Sequence, residues 1–326
     1  MKKILLAVLG SLSILINSCN HRFTPVPGCA VLTCTNEHAF LFYSGFNNYL
    51  PSNSAEVFRE ELNKTLNSQI THLEFGGKGF SVSPTVQNPG SIYFLSDSGG
   101  TRSNNLYIIN NDGTSLKPVL PNAISTNLGI VSASVSPNGQ YIAFIYFNPV
   151  FEYAPSSLSF AVYNLTTNKL TQLGEAYSHC DWAKDGSKIY FDLNAHVSHI
   201  YSISPDGTGR TQLTSSAFGE DYPAVSPDGK TLAISSTMDA GGNENEIGMI
   251  NIDGTNLRAI THLGGTAIAR EPGWSPVGDE IFFTFTDRTK TAVPPHIYST
   301  NLTGTAVSQF TSGNGETNPF VAYSNY

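Results

Sequence analysis

The stretches DYPAVSPDGKTLAI (residues 221–234) and EIGMINIDGTNLRAIT (residues 246–261) state the unit from which most of this chain is built. Related segments occur six times in the 326 residues, at intervals of 43 to 53 residues. The residues that align with one another at the first turn of the unit are Pro84, Pro137, Lys184, Pro227, Pro276 and Tyr323. A repeat of this length, made of short strands and tight turns, is typical of a β-propeller blade.

Two kinds of tight turn occur in each unit. The first follows the opening strand and reads Ser-Pro-Asp-Gly at residues 226–229, where Pro fixes φ and Gly accepts a positive φ. The second is an Asp-Gly or Thr-Gly pair, which begins at Asp112, Asp206, Asp253 and Thr303. A calcium loop of the EF-hand type needs oxygen ligands at alternate positions and a distal Glu, which these turns lack. We therefore interpret them as hairpin turns.

The sixth unit is divided between the two ends of the chain. Residues 318–325 match an opening strand, residues 39–44 read as a second strand, and residues 56–73 align without a gap on residues 246–263. Residues 55–66 alone have the pattern of an amphipathic helix, but the alignment predicts strands. The sequence therefore predicts an all-β, six-bladed β-propeller of four-stranded blades. One blade shared between the termini closes the ring and leaves no free sheet edge.

The N-terminus has the features of an export signal. Met1-Lys2-Lys3 precedes an apolar run, residues 4–16, which is too short for a stable membrane span. The following Leu-Ile-Asn-Ser-Cys resembles a bacterial lipobox, which implies cleavage before Cys19 and lipidation of that residue. We expect a signal peptide at residues 1–18, a lipidated tether at 19–38 and the propeller at 39–326. An ordinary signal peptide with an incidental Cys is the alternative.

The remaining cysteines and the net charge limit the environment and the partners. Cys29 and Cys34 could form a disulfide in an exported protein, and Cys180 is expected to be buried in an opening strand beside Trp182. The formal charge is −8, and loss of Lys2 and Lys3 leaves 15 basic against 25 acidic residues, a charge of −10. Such a surface is a poor match for nucleic acid. A neutral or basic partner and a monomeric chain are expected.

The repeat resembles that of the TolB propeller family, also called the WD40-like PD40 repeat. Ser226-Pro227-Asp228-Gly229, Ile142-Ala143-Phe144 and Asp206-Gly207-Thr208 carry the resemblance, which extends over residues 39–326. It implies a six-bladed propeller in the cell envelope, and the lipobox adds that the protein is a bacterial lipoprotein. TolB has an α/β domain before its propeller where this chain has about twenty tether residues. The same repeat also occurs in peptidases and polysaccharide lyases, so it does not fix the function.

Strand direction predicts which face binds a partner. The short Asp-Gly turns lie on one face, and the longer, variable connections lie on the other with the starts of the opening strands. Candidates at the channel mouth are Lys78, His179, Asp221, Tyr222, Arg270, Glu271 and Glu316. A binding site and a merely solvated rim are both compatible with this set. Phe151 and Tyr153, in one long connection, either fold back on the blade or form an aromatic contact patch.

Enzyme motifs are lacking. The sequence contains no Gly-x-Ser-x-Gly, His-Glu-x-x-His, Cys-x-x-Cys or glycine-rich phosphate loop. We predict no cofactor and no metal, because His179 is the only histidine placed at the mouth. The function predicted is a non-catalytic, lipid-anchored propeller on the periplasmic side of the outer membrane that binds an envelope partner. The alternative is a glycan-binding or glycan-cleaving propeller with its site at the channel mouth.

Overall fold

The computed structural model describes the part of the chain that forms the repeat array. Its backbone is described for residues 39–46, 55–61, 67–69, 80–83, 91–96, 105–110, 112–121, 129–147, 158–194, 197–238, 245–289, 294–312 and 316–323, and its side chains for these ranges from residue 91 to residue 312. All of these ranges lie within one compact unit, Glu37–Tyr326. They contain no helix that is long and apolar enough to cross a membrane.

Five blades are each built from four consecutive antiparallel strands. Blade 1 contains β4 (Phe80–Ser83), β5 (Ser91–Ser96), β6 (Asn105–Asn110) and β7 (Lys117–Pro118). Blade 2 contains β8 (Ile130–Val135), β9 (Tyr141–Tyr146), β10 (Leu158–Asn164) and β11 (Lys169–Ala176). Blade 3 contains β12 (Cys180–Trp182), β13 (Ile189–Asn194), β14 (Ser198–Ile203) and β15 (Thr211–Gln212).

The last two of these blades follow the same order. Blade 4 contains β16 (Glu220–Val225), β17 (Thr231–Ser236), β18 (Glu246–Asn251) and β19 (Arg258–Ala259). Blade 5 contains β20 (Ala267–Trp274), β21 (Glu280–Asp287), β22 (His296–Asn301) and β23 (Val307–Gln309). The predicted all-β propeller of four-stranded blades is confirmed, and the described residues contain no helix.

A composite sheet joins the two ends of the array. It has the order β24 (Glu316–Tyr323), β1 (Ala39–Phe46), β2 (Ala55–Glu61) and β3 (Asn67–Gln69). Residues 55–61 form a strand, as the alignment predicted, and not the start of a helix. The innermost strands lie in the order β4, β8, β12, β16, β20 and β24, and β24 also contacts β4. The prediction of six blades is therefore corrected: the structure has five blades of four consecutive strands, and the sixth predicted unit is a sheet made from both ends of the chain.

The carboxylates of the Asp-Gly turns accept hydrogen bonds from residues of the same turn. Asp206 Oδ1 accepts hydrogen bonds from the backbone N–H of Thr208 at 2.9 Å and from its hydroxyl at 2.7 Å. These bonds hold the pKa of Asp206 below its usual value, and Gly207 has a φ of 89°. The same bonds recur at Asp112 and Asp253. Structural hairpin turns account for these residues.

Adjacent blades are joined by packing and by a repeated indole hydrogen bond. Trp182 Nε1 donates to the carbonyl oxygen of Ser134 in the preceding blade at 3.0 Å, and Trp274 Nε1 donates to that of Ala224 at 2.9 Å. Cys180 is free and fully buried in the cluster that also contains Trp182, as predicted. Burial raises the pKa of its thiol well above the usual value, which makes it an inert core residue.

Candidate binding site at the channel mouth

The starts of the innermost strands of blades 3, 4 and 5 bring polar side chains together at the end of the blades where the sequence predicts the channel mouth. We call this group the mouth cluster: His179, Asp181, Asp192, Glu220, Asp221, Tyr222, Arg270 and Glu271. His179 directly precedes β12, the next two members come from blade 3, Glu220 to Tyr222 open β16, and Arg270 and Glu271 lie in β20. Five of the residues predicted from the sequence are therefore brought together, namely His179, Asp221, Tyr222, Arg270 and Glu271.

Two β-bulges orient the side chains at this opening. The register with the second strand shifts between Asp221 and Ala224 in β16, and between Arg270 and Gly273 in β20. Within the bulges Tyr222 has a φ of 54° and Glu271 has a φ of 56°. A residue other than glycine in this left-handed region costs about 1 kcal/mol or more. Bulges of this kind re-aim side chains beside functional sites.

Asp192 fixes the backbone of the mouth, although the sequence analysis did not select it. Its side chain is completely buried in β13. Oδ1 accepts from the backbone N–H groups of Ser178 at 2.7 Å and His179 at 3.0 Å. Oδ2 accepts from the Ser178 hydroxyl at 2.5 Å and from the Tyr222 N–H at 3.0 Å. A single carboxylate therefore positions the backbone of two candidate residues in different blades. The sequence feature that could have identified Asp192 is a charged residue inside the otherwise apolar strand IYFDLN.

Asp181 connects three blades. Its Oδ1 accepts from the Ser134 hydroxyl of blade 2 at 3.1 Å and from the N–H of Trp182 at 2.9 Å. Its Oδ2 accepts from the N–H of Val225 in blade 4 at 2.9 Å. Charged acceptors make the stronger hydrogen bonds in proteins, so Asp181 is a structural connector at the inner wall.

Glu220 is also satisfied within the protein. It is completely buried, and its Oε2 lies 3.0 Å from Nδ1 of His199. Its Oε1 accepts a short hydrogen bond from the Ser216 hydroxyl. His199 lies in β14, the third strand of blade 3, and Glu220 opens β16, the innermost strand of blade 4. The His199–Glu220 contact therefore links blade 3 to blade 4.

Asp221 differs from these three carboxylates. Its Oδ1 is buried and has no hydrogen-bond partner. Burial, followed by the charge of Asp192, raises the pKa of Asp221 to about 8, and the nearby Arg270 partly opposes this change. Glu220 and Glu271 contribute further repulsion. A buried carboxyl group with so perturbed a pKa is a candidate functional group.

Arg270 is held by an amide. Its Nε and one terminal nitrogen donate to Oδ1 of Asn245 at 3.1 and 2.9 Å. Within the ranges that the structure describes, the ion pair within 4.0 Å is the one between His199 and Glu220, so Arg270 does not neutralise a described carboxylate by direct contact. Glu271 Oε2 accepts from the Thr284 hydroxyl at 2.7 Å.

Two aromatic rings lie beside Asp221. The ring centroids of His179 and Tyr222 are 6.0 Å apart with an interplanar angle of 38°. Nδ1 of His179 lies 3.2 Å from the Ser132 hydroxyl. Burial, together with the charges of Glu271 and Asp221, raises the pKa of Tyr222, so its phenol stays neutral at physiological pH.

The other predicted site residues are not tested by this geometry. Glu316 begins β24, for which the backbone alone is described. Lys78, Phe151, Tyr153, Cys19, Cys29 and Cys34 lie outside the described residues. Among the described side chains, no group of three His, Cys, Asp or Glu residues is arranged to hold a metal ion.

Comparison with known proteins shows the fold class. No family model matches the chain. A curated relative, the uncharacterized protein Atu1656 of Agrobacterium fabrum (strain C58), is 25% identical over 206 residues, which cover 61% of this chain and 67% of that protein. The structure of TolB from Acinetobacter baumannii aligns with 88% of this chain and 67% of its own, with a TM-score of 0.71 and 13% identity.

A lyase has the same architecture with less similarity. An oligogalacturonate lyase in complex with manganese aligns with 84% of this chain and 74% of its own, with a TM-score of 0.57 and 13% identity. At these identities the comparisons show the fold and not the activity. The protein has a β-propeller fold of four-stranded blades, which it shares with TolB.

Proposed function

We propose that this chain is a non-catalytic propeller of the cell envelope that binds a protein partner through its loop-rich face, with the mouth cluster at the centre of the contact. One observation carries the proposal. Three adjacent blades concentrate aromatic and charged groups at one opening, and one of these groups, Asp221, has a buried oxygen without a hydrogen-bond partner. A polar group left unsatisfied in a free protein is well suited to a ligand that supplies the missing bond.

The other carboxylates favour binding over catalysis. Asp181, Asp192 and Glu220 are occupied by hydrogen bonds from the protein's own backbone and side chains. General acid–base catalysis by a carboxylate pair needs both members accessible to the substrate. These three carboxylates therefore hold the backbone of the mouth in place and are not available to a substrate.

The membrane attachment is part of the proposal. Lipidation at Cys19, with the propeller held on the periplasmic side of the outer membrane, rests on the sequence of residues 15–19. The TolB-like fold agrees with an exported protein. Incorporation of labelled palmitate into the wild-type chain and its loss in Cys19→Ala are expected. Label retained by that variant would contradict the anchor.

Site-directed photocrosslinking tests the partner contact. A benzophenone amino acid is placed at Tyr222 in the mouth and, as the matched control, at the exposed Lys230 in the turn at the other end of the β16–β17 hairpin. We expect discrete protein adducts in native envelopes from position 222 and none from position 230. Equal adducts at both positions, or none at 222, would reject the mouth as the contact.

A glycan-binding propeller is the second candidate. The fold shared with an oligogalacturonate lyase and the aromatic rings beside carboxylates favour it. Calorimetry with oligogalacturonides distinguishes the two candidates. If the mouth is a glycan site, oligogalacturonides should bind to the wild type and binding should be lost in His179→Ala and Arg270→Ala. If it is a protein site, the titration should show no heat of binding.

A further inference from the structure

We propose that the mouth cluster recognises a basic side chain, arginine or lysine, presented by the protein partner. The basic group is placed against the carboxylate of Asp221 and beside the rings of Tyr222 and His179. This inference rests on the proposed function and names the chemistry of the contact. It is carried by three observations: an unpartnered buried oxygen, an excess of negative charge among the described residues, and an aromatic pair on which none of the described side chains places a cation.

The first observation is the unsatisfied carboxyl group of Asp221. The carboxyl group is buried, and its Oδ1 receives no hydrogen bond. Asp181 and Asp192, in contrast, receive bonds on both oxygens. Leaving a buried acceptor without a donor is unfavourable, and a charged donor compensates for this more fully than a neutral one.

The second observation is the sign of the charge around Asp221. Four further carboxylates belong to the cluster, Asp181 and Asp192 from blade 3, Glu220 from the same strand and Glu271 from blade 5. Arg270 is the one permanent cation among the described residues of the mouth, and its guanidinium donates hydrogen bonds to Asn245. Burial raises the pKa of Asp221 most, and the charges of Asp192, Glu220 and Glu271 raise it further although Arg270 opposes them. A cationic ligand is therefore favoured over a neutral or anionic one.

The third observation is a comparison within the molecule. In blade 3 the guanidinium carbon of Arg210 lies 5.3 Å from the ring centroids of both Phe191 and Tyr201. Those two rings are 5.8 Å apart at an interplanar angle of 29°. The rings of His179 and Tyr222 have a similar separation, 6.0 Å, and a similar angle, 38°. The fold thus already places a guanidinium on such a ring pair at one position, and the mouth presents a second pair beside a carboxylate.

Binding of a cation at this site must be coupled to release of the proton from Asp221. Asp221 has a pKa of about 8 in the free protein, so about nine tenths of the molecules carry the proton at pH 7. A cation binds to the ionised form, so it displaces that proton. The apparent affinity then rises about tenfold between pH 6 and pH 7 and levels off above pH 8. The groups that face Asp221 and set this value are Asp192, Glu220, Arg270 and Glu271.

Isothermal titration calorimetry on the full chain provides the test. The probe is Nα-acetyl-arginine amide, used up to about 10 mM because a single side chain supplies weak binding. Nα-acetyl-citrulline amide, which has nearly the same shape without the charge, is the control. Titrations in two buffers with different protonation enthalpies give the number of protons released. We expect at least tenfold weaker binding of citrulline and release of about one proton per arginine at pH 7.

Two matched variants complete the experiment. Asp221→Asn should abolish the proton release and weaken arginine binding at least fivefold at pH 8. Asp206→Asn, in a turn on the opposite face, should change neither quantity. Equal binding of citrulline, proton release that persists in Asp221→Asn, or no arginine binding would each overturn the inference.

The crosslinking result separates this inference from the proposed function. Adducts at position 222 without arginine binding would leave the partner site standing with a different chemistry. Arginine binding without adducts would establish the cation site and reject the protein-partner proposal.

Discussion

Replacing Asp221 by Asn should stabilise the protein, and more strongly at pH 8 than at pH 5. The carboxyl group has its pKa raised from 3.8 to about 8 by burial and by neighbouring carboxylates. Unfolding restores the ordinary value. Because the folded state binds the proton more tightly, the stabilising contribution of the protonated group is complete below pH 3.8 and is lost as the pH rises to 8. Asn is neutral and nearly isosteric, so it does not lose stability over this range.

The magnitude follows from the shift in pKa. One pKa unit corresponds to about 1.4 kcal/mol, so ionisation of Asp221 destabilises the fold by about 2 kcal/mol at pH 5 and about 5 kcal/mol at pH 8. The advantage of the variant in the free energy of unfolding should therefore increase by about 3 to 4 kcal/mol between the two pH values. Urea denaturation followed by tryptophan fluorescence measures it, because both tryptophans lie between blades.

Asp206→Asn is the matched control. Hydrogen bonds from Thr208 lower the pKa of Asp206, so its stabilising contribution is lost only as the pH falls below 3.8. The free energy of unfolding of Asp206→Asn should therefore differ from that of the wild type by the same amount at pH 5 and pH 8. If the gain in free energy of unfolding from Asp221→Asn is also the same at pH 5 and pH 8, the pKa of Asp221 is not raised by burial. The description of Asp221 as an unsatisfied buried carboxyl group would then be wrong.

Three further substitutions test how the blades are held together. Trp274→Phe removes the indole donor to the adjacent blade and leaves a carbonyl unsatisfied, so it should lower the free energy of unfolding by about 1 to 3 kcal/mol in urea denaturation. Asp192→Asn leaves one acceptor oxygen for the four donors that Asp192 accepts from. It should lower the free energy of unfolding by about 3 kcal/mol or more. Unlike a purely structural change, it should also weaken the binding of Nα-acetyl-arginine amide at the mouth. Gly304→Ala places a Cβ against the carbonyl oxygen of Ile260, whereas Gly264→Ala has a similar φ and open space. The melting temperature should fall clearly further for Gly304→Ala than for Gly264→Ala, and equal losses would show that the close approach between blades does not exist.

The repeat made much of the fold predictable. Each unit has its own turn chemistry, such as the Ser226 to Gly229 turn, in which the Ser226 hydroxyl donates to Asp228 at 2.7 Å. Residues 55–61 show the strength of this information, because alignment with the β18 segment overrode their helical pattern. Local periodicity alone would have failed there, since a short strand with charged residues can imitate an amphipathic helix.

The supporting residues of the mouth were harder to predict. Position at the start of an opening strand is the sequence criterion that predicts His179, Asp221, Tyr222, Arg270 and Glu271 at the mouth. It missed Asp192, which lies in a second strand and acts through the backbone of its neighbours. It also missed Asn245, which holds Arg270. Such roles depend on contacts across blades, and a single sequence without pairing information does not specify them.

The sequence by itself determined the four-stranded units, their turns, the composite sheet formed by the two ends and the burial of Cys180. These features follow from local turn chemistry and from a repeat whose spacing is visible along the chain. Only the tertiary structure decided which carboxylates are satisfied and which one is not. Asp181, Asp192 and Asp221 are the same residue type, yet both oxygens of the first two accept hydrogen bonds, some of them from neighbouring blades, and Oδ1 of the third has no partner. Hydrogen bonding and burial depend on atoms distant in the chain, so the chemical character of the mouth is set by the arrangement of the blades.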